Sequence, residues 1–254
     1  MKKLAQRFLI PALILVVWWI IVKLQIFSSY LLPAPLTTWQ AFLELCASGI
    51  LFKHVTVSLL RVFAGFGLAV LLALPLGIIC GLSRFFKEFC WSTLEFLRHV
   101  PPLAAIPLII LWFGIEEASK LVIIVLAAFF PLFLNTYSGV TTCDKKLLEV
   151  GTALHLTTWE KVRHIQLPAA LPTIIIGLQL SLGYSWRALI GAELIAASSG
   201  IGYMILDAEE LSRPDVVLVG VFVIGIIGTV IDEIFIMLAK RLLPWQRKAE
   251  NNGY

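Results

Sequence analysis

Uncharged runs long enough to cross a lipid bilayer recur along this sequence, such as Val62–Ser83 between Arg61 and Arg84. A helix that crosses the hydrocarbon core needs about 20 largely apolar residues. Backbone polar groups within lipid must be bonded inside their own segment, so these runs are expected to be helices. The composition agrees: 59% of the residues are apolar and 14% are charged, against about 45–50% and 25% in soluble domains. The sequence therefore predicts an all-α membrane protein.

Six transmembrane helices are predicted. They are Phe8–Phe27, Val62–Ser83, Trp91–Gly114, Leu121–Val140, Ala169–Ala192 and Val216–Met237. The first resembles a secretory signal peptide, but no small-residue cleavage site follows Phe27, so an uncleaved helix is expected. An even number of spans places both termini on the same side of the membrane.

The basic residues predict which side that is. One set of loops and termini carries Lys2, Lys3, Arg7, Arg84, Lys87, Lys145, Lys146, Lys161, Arg163, Lys240, Arg241, Arg247 and Lys248. The opposite set carries Lys53, Lys120 and Arg213. Because Lys and Arg accumulate in cytoplasmic loops, both termini are expected in the cytoplasm. The net charge of +4 then reports orientation, and no nucleic-acid partner is expected.

The segment between the first two spans is predicted to contain an external helix. Thr37 is expected to be its N-cap, with Gln40 completing a capping box. Trp39 is expected at the level of the lipid headgroups. The predicted domain organisation is 1–57 for the first span and this helix, 58–245 for the transmembrane core with the loop at 141–168, and 246–254 for a cytoplasmic tail.

The longest cytoplasmic loop, Thr141–Pro168, is too ordered for a simple connector. Lys145–Leu156 is predicted to be one helix that continues from the fourth span. Thr157 and Glu160 form a second capping box, so a short helix should begin at Thr158 and end before Pro168, which cannot continue it. Two interpretations remain open on this evidence: an interfacial helix on the lipid headgroups, or a rigid knob that docks into a partner.

This loop resembles the EAA loop of ABC-importer permease subunits. The matching residues are Glu149-Val150-Gly151, position 155, and Ile165-Gln166-Leu167-Pro168, in the spacing of the family motif. Gly151 stands where the family has alanine. His155 replaces the glycine that eases the bend, and it is expected to adopt a left-handed conformation.

The resemblance covers nearly the whole chain and is nearest to the branch that handles sulfonates, taurine and nitrate. Its further matches are Leu59-Leu60-Arg61, Arg98–Ala104, Trp112–Ile115, Ala192–Ile195 and Ser199–Tyr203. The resemblance implies a type I (MetI-like) six-helix bundle. It also implies a permease homodimer, two cytoplasmic ABC ATPase subunits and an external solute-binding protein, and it favours docking for the loop. The implied ATPase-coupling residues are Glu149, Val150, Gly151, His155, Thr157, Trp159, Ile165, Leu167 and Pro168.

The implied function is the passage of a small anion, an aliphatic sulfonate or taurine, with nitrate or another small solute such as a vitamin precursor as the alternative. The sequence has no P-loop motif, so ATP is expected on the partner ATPase, and this chain is expected to bind no cofactor or metal and to be no enzyme. A self-contained secondary carrier is a rival from another class. Such carriers usually show internal repeats with broken helices in both halves.

Ionisable groups inside spans are costly, and they therefore mark candidates for the translocation path or its gate. These candidates are Arg98, Arg187 and Glu193, together with Ser199 in the segment that Glu193 is expected to hold. Glu95 and Arg98 are three residues apart and are expected to pair near the cytoplasmic interface.

Overall fold

The computed structural model of the protein describes residues 2–242. For residues 2–8 and residue 11 it describes the backbone alone. The predicted tail 246–254 lies outside the described residues. Within them the chain forms α-helices and one π-turn, with no β-strand. The α-helices are α1 (Lys2–Lys23), α2 (Pro35–Ala47), α3 (Ile50–Leu82), α4 (Arg84–Arg98), α5 (Ile106–Phe113), α6 (Glu117–Thr141), α7 (Lys145–Ala153), α8 (Thr158–Lys161), α9 (Leu167–Ala196), α10 (Ile201–Glu210) and α11 (Pro214–Leu242).

Four helical segments are long and apolar enough to cross a membrane: Ile50–Leu82, Glu117–Thr141, Thr158–Glu210 and Pro214–Leu242. They contain the predicted fourth, fifth and sixth spans and all but the last residue of the second, and the helices of these four spans are thereby confirmed. The first predicted span falls largely in α1, in which the described stretch Ala12–Lys23 is apolar. The chain is a multi-pass membrane protein.

The prediction of one continuous third span, Trp91–Gly114, is wrong. Helix α4 ends at Arg98, and α5 begins only at Ile106. The break contains Pro101 and Pro102, which lack an N–H donor and also disfavour helical backbone in the residue before them. The third predicted span is thus a pair of shorter helices joined by a turn.

The described residues divide into two compact units, and the larger comprises Leu59–Ala192 together with the chain from Gly228. In this unit α3 and α6 run in the same direction. A Cβ on Gly65 would lie 2.6 Å from Ile124, and a Cβ on Gly81 would lie 2.8 Å from Val140. The small side chains of these glycines allow the two helices to approach closely.

Helix α9 runs antiparallel to α6 in the same unit. Ser181 donates a hydrogen bond of 2.7 Å from its hydroxyl to the carbonyl oxygen of Ala128. One core cluster joins α6 to the start of α9 through Val140 and Ala170. A second cluster joins α5, α6 and the end of α9, and consists of Ile106, Ile109, Ile123, Ala127, Ala188 and Ala192.

The smaller unit comprises the chain up to Ser58 and Glu193–Ile227. Trp18 of α1 donates from Nε1 to the carbonyl oxygen of Pro33 at 3.1 Å, and its ring stacks on Phe222. Arg213 pairs with Asp215 at 2.8 Å and with Glu44 at 3.5 Å. The hydrogen bond to Asp215 is the main cause that raises the pKa of the Arg213 guanidinium, which therefore stays charged.

The predicted N-cap of the external helix α2 is wrong. The helix begins at Pro35 with Ala34 as N-cap, and no side chain caps it. Proline at the first helical position needs no partner for an N–H, so the helix starts three residues earlier than the Thr37 capping box would place it. The Thr38 hydroxyl instead donates back to the carbonyl oxygen of Ala34 at 3.2 Å.

Candidate functional site

The loop predicted as a coupling element begins with a separate helix. Helix α6 ends at Thr141, and the Asp144 side chain caps α7 by accepting a 2.9 Å hydrogen bond from the Lys146 N–H. The prediction that this helix continues from the fourth span is therefore wrong. Burial, followed by the neighbouring Asp144 carboxylate, raises the pKa of the Cys143 thiol, so this thiol stays protonated at neutral pH.

His155 makes the bend after α7 and has a φ of 56°, which confirms the predicted left-handed conformation. Two hydrogen bonds close the end of the helix: the Leu156 N–H donates to the Gly151 carbonyl at 2.9 Å, and the His155 N–H donates to the Thr152 carbonyl at 3.0 Å. This is the Schellman arrangement, in which glycine usually occupies the left-handed position. The chain keeps the bend with histidine in that place.

The second capping box is confirmed. The Thr157 hydroxyl accepts from the Glu160 N–H at 3.3 Å, and the Glu160 carboxylate accepts from the Thr157 N–H at 2.8 Å. Both orphan donors at the start of α8 are thus satisfied by neighbours three residues apart. As predicted, the helix begins at Thr158.

Helices α7 and α8 pack on each other through small and flexible side chains. Gly151 is buried, and a Cβ at this position would lie 2.7 Å from Cδ1 of Ile165. Lys161 donates from Nζ to the Thr152 hydroxyl at 2.9 Å. We call Lys145–Gln166 the α7–α8 hairpin; these contacts make it a folded unit.

The α7–α8 hairpin exposes apolar side chains. The exposed fractions are 56% for Val150, 67% for Leu154 and 68% for Trp159. Glu149 lies beside them and is also exposed. Val162, three residues after Trp159, is buried at 6%, so the Trp159 side chain projects from the hairpin without it. An ordered hairpin with exposed apolar side chains is typical of a docking surface.

The end of the hairpin differs from the prediction that its second helix stops before Pro168. The chain widens into a π-turn over Val162–Gln166, where the Leu167 N–H donates to the Val162 carbonyl. It then continues directly into α9, with Leu167 and Pro168 in the first turn. Proline is tolerated in the first helical turn because its missing N–H would have no intrahelical partner there. The hairpin is therefore joined without a flexible linker to a membrane-spanning helix.

Two of the predicted path candidates lie on exposed surfaces. Arg98 pairs with Glu95, as predicted, and both side chains are a little over one third exposed. Arg187 is exposed and lies over the Tyr184 ring, 5.4 Å from its centre. Nothing in these contacts assigns either arginine to a path.

Glu193 is fully buried and lies beside the segment that it was predicted to hold. Its carboxylate accepts hydrogen bonds from the Ser58 hydroxyl at 2.8 Å and from the Gly202 N–H at 2.9 Å. Gly200 has a φ of 115°, and a Cβ there would overlap the Glu193 carboxylate. Glu193 thereby caps the start of α10 and fixes the turn that contains the half-buried Ser199.

Two further side chains hold this turn, and sequence reasoning missed both. The Ser58 hydroxyl also accepts from the Ile201 N–H at 2.9 Å. His54 accepts at Nδ1 from the Gly200 N–H at 3.0 Å. Ser58 precedes Ile201 by 143 residues, and His54 precedes Gly200 by 146 residues. No short-range spacing signals such a partnership.

A second missed cluster lies in the larger unit. Arg61, buried at 5%, donates from Nε to the Glu117 carboxylate at 2.6 Å. Lys120, buried at 2%, donates from Nζ to the Ile115 carbonyl at 2.9 Å and lies 3.5 Å from the same carboxylate. These contacts fix the start of α6 against α3.

Comparison with known proteins gives one family. Residues 73–247 match the family model described as binding-protein-dependent transport system inner membrane component. A protein of Bacillus subtilis named as an aliphatic sulfonates transport permease, SsuC, is 41% identical over 95% of this chain and 88% of its own length. The taurine transport system permease protein TauC of Escherichia coli is 36% identical over 94% of this chain and 89% of its own length.

Two more similarities are more distant. The nitrate import permease protein NrtB of Synechocystis is 30% identical over 77% of this chain and 71% of its own length. Among solved structures, an inward-facing form of the MetNI methionine ABC transporter contains a chain that matches with a TM-score of 0.57. That match covers 73% of this chain and 96% of the other, at 17% identity. This last likeness supports the MetI-like fold.

Proposed function

Because the chain belongs to the family of binding-protein-dependent transport system inner membrane components, we propose that it is the permease subunit of an ABC importer for small organosulfonates. The single observation that carries this proposal is the ordered α7–α8 hairpin, with its exposed Trp159, joined directly to α9. A transport subunit driven by a separate ATPase needs such a rigid contact between the ATPase and a membrane-spanning helix.

The sulfonate part of the proposal rests on the relatives. Two proteins named for aliphatic sulfonates and for taurine are 41% and 36% identical to this chain over nearly its whole length. The nitrate import permease is less similar, at 30% identity. An aliphatic sulfonate or taurine is therefore the proposed substrate, and nitrate is an outcome of the test.

The proposed assembly contains two copies of this chain, two ABC ATPase subunits on the cytoplasmic side and an external solute-binding protein. The α7–α8 hairpin then lies in the cytoplasm, in agreement with Lys145, Lys146, Lys161 and Arg163 in this loop. ATP is bound and hydrolysed by the partner ATPases. ATP drives the permease between its states only if it binds one of them more tightly.

The coupling residues are proposed to act through this hairpin. Val150, Leu154 and Trp159 contact the ATPase. Gly151, Ile165 and the capping box at Thr157 keep the contact surface rigid. Leu167 and Pro168 pass its movement into α9. Arg98, Arg187, Glu193 and Ser199 are proposed for the translocation path or its gate.

Uptake by the reconstituted complex tests the substrate. The permease is placed in liposomes with the ATPase and binding protein encoded beside it, and ATP-dependent uptake of labelled alkanesulfonate, taurine and nitrate is measured. Uptake of a sulfonate in preference to nitrate is expected. Preferential nitrate uptake would overturn the sulfonate assignment, and uptake without ATP would favour a secondary carrier.

A substitution at Trp159 tests the coupling role. Trp159→Asp is expected to abolish substrate-stimulated ATP hydrolysis, because a buried unpaired carboxylate at the contact costs several kcal/mol. Trp159→Phe is the matched control, since it keeps an aromatic side chain and is expected to retain most of the stimulation. Full coupled activity in Trp159→Asp would exclude this docking surface.

A further inference from the structure

The contacts of α4 and α5 with α6 show how far along α6 the residues of α4 lie, which the sequence does not indicate. Near its middle, the Trp91 ring lies 5.0 Å from the ring of Tyr137, towards the end of α6. After the break, Ile106 shares a core cluster with Ile123, towards the start of α6. The stretch Glu95–Arg98 falls between these two levels. From the helical rise we place it level with the middle of the 25-residue helix α6, deeper than the cytoplasmic interface expected from the sequence.

The surface of α4 has three sides. Cys90, Trp91 and Leu94 pack against a core cluster of α3 and α6. A second side exposes apolar side chains, among them Phe86 at 45% and Leu97 at 42%. The third side is a polar stripe with helical spacing, which consists of Glu88, Ser92, Glu95 and His99.

The polar stripe is open at the surface of the chain. It lines a groove of about 520 Å³, together with Lys87, Trp91 and Phe96. Helix α4 lies entirely within the described part of the chain, and none of its side chains is buried. His99 lies at the end of the stripe that is nearest the break. Its Nδ1 lies 2.7 Å from the Glu95 carbonyl oxygen and is the donor of this hydrogen bond, since a carbonyl oxygen can only accept.

This arrangement is incompatible with lipid on every side of α4. Ionisable groups at the centre of a bilayer face a bundle interior or a water-filled cavity. Non-helical backbone at membrane depth is likewise tolerated only where it is buried in protein or lines such a cavity. The break at Pro101 and Pro102 follows directly after the stripe, so both features require water at the same place.

We propose that the polar stripe of α4 is the wall of the aqueous translocation path at the middle of the membrane, where the Glu95–Arg98 pair meets the anionic group of the substrate. This inference rests on the proposed function and deepens it. The Arg98 guanidinium offers several N–H donors in one plane, which suits the oxygens of a sulfonate. In the absence of substrate Glu95 binds the Arg98 guanidinium. During passage the sulfonate replaces Glu95 as the partner of this guanidinium.

Water access to the stripe is tested by thiol labelling. In a variant whose four native cysteines, Cys46, Cys80, Cys90 and Cys143, are replaced by alanine, Ser92→Cys and Leu97→Cys are compared with a membrane-impermeant thiol reagent. Leu97 lies on the side of the helix opposite Glu95 and is five residues from Ser92, about 7.5 Å further along the axis of the same helix. Ser92→Cys is expected to react at least about ten times faster, because the reactive thiolate does not form in hydrocarbon. Equal rates would overturn the aqueous wall.

The role of the charged pair is tested by comparing its two halves. Arg98→Gln is expected to lower uptake of a labelled alkanesulfonate by about tenfold or more, since a charge-assisted contact to the anion is lost. Glu95→Gln frees the guanidinium and is expected to keep uptake or raise it. If the pair were purely structural, replacing either residue would lower uptake. Equal losses of uptake in the two variants would therefore overturn the substrate contact. Arg241→Gln, which removes an exposed arginine at the end of α11, is the control and is expected to resemble the wild type.

The two proposals fail separately. If the wild-type complex carries no sulfonate, the proposed function is wrong. The labelling contrast between Ser92→Cys and Leu97→Cys needs no substrate and still decides whether the stripe faces water.

Discussion

His155 occupies the position after α7 that usually belongs to glycine, with a φ of 56°. A side chain in the left-handed region costs about 1–2 kcal/mol, which glycine avoids, although glycine loses part of this gain through its more flexible unfolded state. His155→Gly is therefore expected to stabilise the protein by about 0.5–1 kcal/mol. The measurement is the midpoint of thermal unfolding in detergent, which should rise by a few degrees.

The control for this substitution is Ala153→Gly, in the last turn of α7, which removes no side-chain hydrogen bond. Glycine inside a helix is unfavourable by about 1 kcal/mol, so the midpoint should fall. A fall in both variants would show that the His155 side chain makes a contribution beyond the bend itself.

At Gly200 the opposite effect is expected, because replacing this glycine should destabilise the protein. Its φ of 115° is open to glycine, and a Cβ would overlap the buried Glu193 carboxylate. Gly200→Ala is expected to cost about 2–4 kcal/mol, from backbone strain and from the loss of the hydrogen bonds that Glu193 accepts. Gly67→Ala is the control, because a Cβ at Gly67 meets nothing within 4 Å. Chemical unfolding of both variants gives the comparison, and similar stabilities would exclude a structural role for the Glu193 cap.

Separation along the chain decides which of these residue contacts could be predicted. Thr157 and Glu160 lie three positions apart, and their capping box is visible in the sequence. Ser58 and Glu193 lie 135 positions apart, and Arg61 and Glu117 lie 56 apart. Partners at such distances are set by how helices pack, which a single sequence does not encode in any local spacing.

Among the helices, too, some could be predicted from the sequence and others could not. Long apolar runs predicted α3, α6, α9 and α11, because crossing lipid depends on the segment's own composition. The third span was misread since hydropathy does not register the geometric effect of Pro101 and Pro102 within an apolar run. The start of α2 was misread because Pro35 fits the first helical position better than Thr37 serves as a cap.

The capping box of α8 gives a prediction at the scale of the element. Thr157→Val keeps the shape of the side chain but removes the hydroxyl that accepts from the Glu160 N–H. Loss of an N-cap costs about 1 kcal/mol, so the α7–α8 hairpin should open more often. The expected result is faster amide hydrogen exchange at Glu160, with the membrane-spanning helices unaffected.

Thr158→Val serves as the control for the capping box, since Thr158 is the first residue inside α8 and does not cap it. If exchange at Glu160 rises equally in both variants, the effect comes from the valine side chain in a short helix, and the capping box is not responsible.

At the scale of the whole molecule, the direction of the helices predicts the topology. Helices α3 and α6 are parallel, because Gly65 contacts Ile124 and Gly81 contacts Val140. The chain between two parallel spans must cross the membrane once in the opposite direction. We expect the broken pair α4–α5 to make this crossing, so that six crossings are predicted in all, with α1 and the four long segments.

This crossing predicts which loops share a side. Cysteines are introduced singly at Ser83, Ile115 and Thr142 in a cysteine-free variant, and intact cells are treated with an impermeant thiol reagent. Ile115→Cys is expected to react from outside, because it follows α5, whereas Ser83→Cys and Thr142→Cys should react only after the cells are opened. Reaction of Ile115→Cys and Thr142→Cys from the same side would mean that α6 does not cross. Reaction of Ser83→Cys and Thr142→Cys from opposite sides would mean that α4–α5 enters and leaves the membrane on one side. Either result would remove the basis for an even number of spans and for placing both termini in the cytoplasm.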